Sequence, residues 1–199
     1  KVWATSYDIP AVKKGLIKKI EVKHNRTAGI QGFVYNTRRE IFKDPKLRQA
    51  LAYGFDFAWS NRNLFYGQYT RTRSYFDNSE LAATGLPGKE ELEILEPYRG
   101  RIADDVFTTE YQPPKTKGDG RIRSNLRIGD RLLKEAGWVI KDNLRVNEKT
   151  GRVLEFEILL VSPAFERIVL PFAKNLERLG VKTSVRTVDS AQYLRRLET

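Results

Sequence analysis

Between Pro45 and Ala58 the apolar residues recur three and four apart. Leu47, Ala50, Leu51, Gly54, Phe55 and Ala58 fall on one helical face, while Arg48 and Asp56 fall largely elsewhere. Asp44-Pro45 is a strong start: Asp accepts from the free amides of the first turn, and Pro next to it gives up no bond. The pattern predicts a core helix running to about Trp59 or beyond, with Gly67 able to close a continuation. A second periodic stretch, 125–136, turns Leu126, Leu132, Leu133 and Ala136 inward, with Ser124 as expected cap and Gly137 as stop. A third, 164–179, carries Ile168, Phe172, Leu176 and Leu179. Pro171 lies inside it and is expected to kink it or restrict its start, and Gly180 ends it. A last helix is predicted over 190–199, capped by Asp189 or Ser190, and a short one begins near Pro10.

Period-two patterning supplies the strands. Residues 17–23 read as an exposed strand and 30–36 as a better-buried one. Val139-Ile140 and residues 144–147 lead into Glu148-Lys149-Thr150-Gly151, read as a hairpin turn. Residues 154–161 and 181–188 flank the third helix. Strand, helix, strand at this spacing predicts a βαβ unit with parallel strands. Residues 68–122 are rich in turn and breaker signals, with a short acidic helix near 89–95, and read as long excursions from a scaffold. The fold class is therefore α/β: a mixed sheet containing a parallel βαβ unit, flanking helices and long loops.

Composition narrows the chemistry. Among 199 residues, 40% are hydrophobic and 11% aromatic, which excludes a disordered or collagen-like chain. With no Cys and one His, a disulfide framework, a thiol nucleophile and a multi-His metal site are excluded, and no cofactor is expected. The longest strongly apolar stretches, such as 158–161, are too short to span a bilayer. The sequence starts at Lys1 without an initiator and stops inside a helical pattern, so it is expected to be a processed or cut piece.

Charge is unevenly placed. Residues 1–75 hold 15 Lys and Arg against 5 Asp and Glu, while the whole chain is +11. That surplus favours an anionic partner, and a basic nucleic-acid-binding module is the alternative function to weigh. No zinc-finger spacing, RNP-like strand or basic zipper supports it.

Catalytic patterns are missing too: no G-x-S-x-G, H-E-x-x-H or P-loop occurs. His24 sits in a basic polar stretch and reads as a surface residue. Glu90, Glu91 and Glu93 read as a solvated helix face. An enzyme is not expected. What remains are aromatic and polar residues on strand ends and loops: Phe33, Tyr35 and Asn36; Tyr75 and Phe76; and Ser162 and Phe165. The last two follow the carboxyl end of a strand in a parallel pair, the usual ligand edge of such folds.

Gly32-Phe-Val-Tyr-Asn-Thr-Arg-Arg39, Phe42-Lys-Asp-Pro-Lys-Leu-Arg-Gln-Ala-Leu51 and Tyr53-Gly-Phe-Asp56 resemble the most recognisable segment of the family 5 extracellular solute-binding proteins, the peptide-, dipeptide- and nickel-binding components of ABC importers. The likeness continues through Leu132–Trp138, Ala173–Val181 and Val188–Tyr193. Tyr66-Gly-Gln-Tyr69, Ser74–Leu81 and Leu159–Phe165 look like the oligopeptide and microcin C branch. The resemblance implies two lobes closing on a ligand. Residues 1–29 would be a hinge-proximal lead-in and 30–199 most of the second lobe, truncated at both ends. It further implies a monomeric, periplasmic peptide-binding protein that hands its ligand to a membrane permease, its signal peptide not among these residues. The acidic residue that clamps a peptide amino terminus would lie beyond Thr199. Phe33, Tyr35, Asn36, Tyr75, Phe76, Ser162 and Phe165 are the residues it implies to face the cleft.

Overall fold

Asp44 and Asp56 each start a helix, and together they break the single long helix that the periodicity predicts. In the computed structural model, which describes residues 2–198, Asp44 accepts from the Lys46 amide at 2.8 Å and Asp56 from the Trp59 amide at 3.0 Å. Between them Gly54 packs so closely that a Cβ would stand 2.9 Å from Leu176 Cδ2. A glycine at this approach followed by a capping Asp ends one helix and begins the next. The helices in chain order are α1 (Val2–Thr5), α2 (Pro10–Lys13), α3 (Pro45–Ala52), α4 (Phe57–Leu64), α5 (Lys89–Leu95), α6 (Asp105–Thr108), α7 (Arg123–Glu135), α8 (Glu166–Glu177) and α9 (Ser190–Glu198). The strands are β1 (Trp138–Lys141), β2 (Leu144–Asn147), β3 (Glu155–Leu160) and β4 (Lys182–Thr187). Thr199, assigned by its pattern to the last helix, lies outside the described residues.

The chain divides into two compact units, residues 1–33 with 70–113 and residues 34–69 with 114–199. In the first, α1, α2, α5 and α6 are joined by loops. Its extended lead-in is tied down by Asn78, whose amide donates to the carbonyls of His24 and Arg26 at 2.9 and 2.8 Å, and by the Ala28 amide on the Asp77 carbonyl at 2.7 Å. Phe107 is buried in it, with Arg99 stacked over the ring at 4.0 Å. His24 is exposed, as expected, and Glu91 accepts from the Gly88 amide ahead of α5.

Neither of the first two predicted strands forms. Residues 17–23 and 30–36 are extended without a ladder, and Val22 and Val34 are 79% and 95% exposed. A strand needs a neighbour for its backbone groups, and the described residues offer none here.

The second unit holds the main core. Helix α3 packs on α7, burying Leu47 and Leu51 of the one and Leu126 and Leu133 of the other, and Gly129 lets the two helices approach until a Cβ would stand 3.0 Å from the Ala50 carbonyl. The βαβ unit is as expected: β3 and β4 are parallel from Glu155↔Lys182 to Leu160↔Thr187, and α8 covers the pair with Val169, Phe172, Ala173 and Leu176 buried. Pro171 sits within α8 without interrupting it. The antiparallel component is a separate two-stranded sheet, β1 with β2, bridged to the chain before β3 by Val146↔Val153. The predicted turn at 148–151 does reverse the chain, but the full ladder closes around Asp142-Asn143, both left-handed at φ 49° and 63°. Asp and Asn tolerate that conformation, so a two-residue hairpin forms without the usual glycine. Ser124 does not cap α7: the helix starts at Arg123 with Ile122 before it, and no side chain caps it. Asp189, not Ser190, caps α9, accepting from the Gln192 amide at 2.9 Å.

Arg145 is the polar centre of this unit. It is 1% exposed and donates to the Leu179 carbonyl at 2.9 Å, the Trp138 carbonyl at 3.1 Å and Asp130 at 2.5 Å. One guanidinium thus ties α7, β1, β2 and the α8–β4 turn together. Burial would raise the Asp130 pKa, but hydrogen bonds and charge from Arg145 and Lys134 hold its carboxyl below the ordinary range.

Candidate functional site

Two residues after β3, Ser162 caps the short 3-10 turn Pro163–Phe165 by accepting from the Ala164 amide at 3.3 Å, and the turn passes directly into α8. The first turn of α8 therefore stands at the carboxyl edge of the parallel pair, where open α/β sheets bind ligands. Ser162 and Phe165 are half-buried there. Glu166 accepts from the Thr187 hydroxyl at the end of β4, at 2.7 Å. Arg167, exposed, lies over the Phe65 ring at 5.6 Å, and Phe65 packs against Tyr69 with ring centroids 4.5 Å apart.

The 65–69 segment is a built turn. Asn61 donates to the Tyr69 carbonyl at 2.7 Å and accepts from the Tyr69 amide at 3.0 Å, as a strand neighbour would. Its own carbonyl accepts from the Phe65 and Gly67 amides. Tyr66 and Gly67 are both left-handed, at φ 57° and 73°. For Tyr this is a strained conformation, held by the bonds around it. Phe57, Ala58, Asn61, Arg62, Tyr66 and Gly67 line an open depression of about 550 Å³ beside the turn. Behind it the loop before α7 is strapped to α4: Thr116 donates to Asp56, and Arg62 donates to the Gly118 carbonyl at 3.0 Å.

The residues singled out from the sequence divide between the two units. Tyr35, Asn36, Ser162 and Phe165 belong to the second. The Tyr35 ring lies 5.1 Å from Phe42, which lies 5.2 Å from Phe156 on β3, so Tyr35 is linked to the central pair through two ring contacts. Burial pushes its phenol pKa up, against the lowering charge of Arg48. Asn36 accepts from the Arg38 amide and guanidinium at 3.1 and 3.3 Å and so closes a turn. Phe33, Tyr75 and Phe76 belong to the first unit. Phe33 is half-buried, while Tyr75 and Phe76 are 84% and 50% exposed on a turn whose Ser74 accepts from the Phe76 amide at 3.1 Å.

Asn61, Phe65 and Arg167 are not among the residues singled out from the sequence, and Tyr69 enters there only within the Tyr66-Gly-Gln-Tyr69 motif. A signal existed for Arg167: a cation in the first turn of a helix opposes the helix dipole. Its pairing with Phe65, across 102 residues of chain, had none.

The model of the bacterial extracellular solute-binding proteins, family 5 (middle), matches residues 2–199. The chain belongs to this family. It is 47% identical over 196 residues to the probable peptide-binding protein YejA of Agrobacterium fabrum, covering 98% of this chain and 32% of that protein. To the YejA protein of Escherichia coli K12 it is 42% identical over 199 residues, covering all of this chain and 33% of that one. The chain thus spans about a third of the length of these relatives. Among solved structures it is similar to the oligopeptide-binding protein AppA of Bacillus subtilis in complex with a nonapeptide, with a TM-score of 0.57 at 17% identity over 82% of this chain and 27% of that one. At that identity the likeness speaks for the fold, the α/β architecture of periplasmic binding proteins.

Proposed function

We propose that these residues form most of the second lobe of the substrate-binding component of an ABC importer, with 1–29 as hinge-proximal lead-in, and that this component captures peptides between two lobes for a membrane permease. Family membership carries the reading. The relative described as a probable peptide-binding protein supplies the ligand class. The carboxyl edge of β3, with its aromatic turn and exposed guanidinium, supplies a surface suited to an extended peptide: aromatic faces give area at little rotamer cost, and main-chain groups give affinity that tolerates sequence. Phe33, Tyr35, Asn36, Tyr75, Phe76, Ser162 and Phe165 are assigned to the cleft in this reading, joined by Phe65 and Tyr69. The protein is exported to the periplasm, acts as a monomer and performs no catalysis.

Mass spectrometry of small molecules retained by the full-length polypeptide after native purification tests this. Peptides released on denaturation are the expected result. A protein that folds, retains no peptide and takes none up on exposure to a peptide mixture would overturn it.

A further inference from the structure

We propose that Arg123, Arg127 and Arg178 form a receptor for a phosphate group, carried by a soluble phosphate ester or by a phospholipid headgroup. The site stands apart from the peptide reading and does not depend on it.

The three arginines line an open depression of about 260 Å³ between α7 and the turn from α8 to β4, together with Leu126, Asp130 and Leu179. That turn leads into the amino end of β4, so the depression lies toward the end of the strand pair opposite Ser162 and Phe165. All three arginines are exposed. Among the described residues, Arg123 and Arg127 make no ion pair and no side-chain hydrogen bond, and Arg178 donates once, to the Asn175 side-chain carbonyl at 3.1 Å. The carboxylate in the lining is already engaged on both oxygens: Asp130 Oδ1 accepts from Arg145 at 2.5 Å, and Oδ2 meets Lys134 at 2.9 Å.

This convergence is not spillover from the basic first third of the chain. Residues 76–199 hold 21 Lys and Arg against 20 Asp and Glu, so carboxylates were available to pair with these arginines. Arg178 has a structural reason for its place, at the negative end of α8. The other two have none. Arg123 opens α7, where the helix dipole disfavours a cation, and Arg127 repeats the charge one turn on, a spacing at which like charges cost stability. An anion held between the three removes that repulsion.

The geometry favours phosphate among anions. One guanidinium fork satisfies a carboxylate, whereas three forks around one small depression match an anion with three or four acceptor oxygens and up to two charges. Leu126 and Leu179 are 7% and 3% exposed, so the floor offers little apolar area to a ring or an acyl chain. Recognition is therefore confined to the phosphate itself, which either source can present.

Titration of the full-length polypeptide at low salt tests this. Glycerol phosphate serves as the soluble ester, and vesicles of phosphatidylglycerol, compared with neutral phosphatidylcholine, serve as the lipid source. Binding to the ester with a Kd of about 1 mM or tighter, weakened by added salt, assigns a soluble phosphate; binding to the anionic vesicles alone assigns the headgroup. Arg123→Gln with Arg127→Gln is expected to weaken that binding at least about tenfold, with the circular dichroism of the wild type kept because both side chains are exposed. Arg131→Gln, on the same helix but paired with Glu135 and outside the depression, is expected to bind as wild type does. A wild-type protein that binds neither probe, a double variant that binds as well as wild type, or an equal loss in Arg131→Gln would overturn the proposal.

Discussion

Asn61 and Tyr69 are joined twice, side-chain amide to main-chain carbonyl at 2.7 Å and main-chain amide to side-chain carbonyl at 3.0 Å. A residue on α4 thereby stands in for a strand neighbour and fixes the turn on which Phe65 and Tyr69 meet. Asn61→Ala removes both bonds at once. Net hydrogen bonds of this kind contribute about 1 kcal/mol each, so a loss of about 1 to 2 kcal/mol is expected. Hydrogen exchange reads it locally: the Tyr69 amide is expected to exchange faster, while core amides of α8 change only by the global loss. Unchanged exchange at Tyr69 would show that the turn is held by something else.

Arg145 is the most demanding contact of the second unit. Arg145→Met keeps the volume but leaves the Leu179 and Trp138 carbonyls without their side-chain donor and Asp130 with Lys134 alone, at 2.9 Å. Each buried carbonyl left without its donor costs about 1 to 3 kcal/mol, so a loss of about 2 to 3 kcal/mol is expected, with little added by Asp130, which is 36% exposed and keeps Lys134. Urea unfolding is expected to show a midpoint shifted down by that amount with the slope kept. A shift below about 1 kcal/mol would show that water or rearrangement satisfies the carbonyls.

The same pair sets an acid limit. Asp130 has a folded pKa held below its ordinary value of about 4. A depressed carboxylate contributes stability that is complete above its unfolded pKa and is lost as pH falls through the folded one. Stability should therefore fall below about pH 4 in part through this group. Asp130→Asn is expected to be less stable at neutral pH and to show a shallower acid limb in thermal denaturation. An unchanged acid limb would remove Asp130 from the account.

Much of the fold was legible in sequence, because its signals are local. The Asp44-Pro45 start, the short helix at 89–95 and the parallel unit of β3, α8 and β4 each follow from caps, breakers and periodicity within a few residues. The misses share a cause, which is that tertiary partners decide them. The periodic face of 45–58 continues through Gly54, but the close approach of Leu176 and the second Asp cap divide it. Residues 17–23 alternate and 30–36 are rich in apolar and aromatic residues, as strands are, but neither has a neighbour among the described residues. The Asp142-Asn143 hairpin lacks the glycine that usually advertises such a turn. At the site, Ser162 and Phe165 were readable as the end of a strand, whereas Phe65 and Arg167 meet only in three dimensions.

The central claim, peptide capture between two lobes, is tested most directly by titrating one peptide mixture into the full-length polypeptide and into the isolated 199 residues, with DNA and RNA as controls at two salt concentrations. Micromolar or tighter peptide binding by the full-length polypeptide is expected, with weak or no binding by the isolated residues, which on the proposed reading form one side of the cleft. Nucleic acid is expected to bind neither with the steep salt dependence of phosphate contacts. Full-length protein that ignores peptides but binds nucleic acid with that dependence, or isolated residues that bind peptide at micromolar affinity by themselves, would contradict the account.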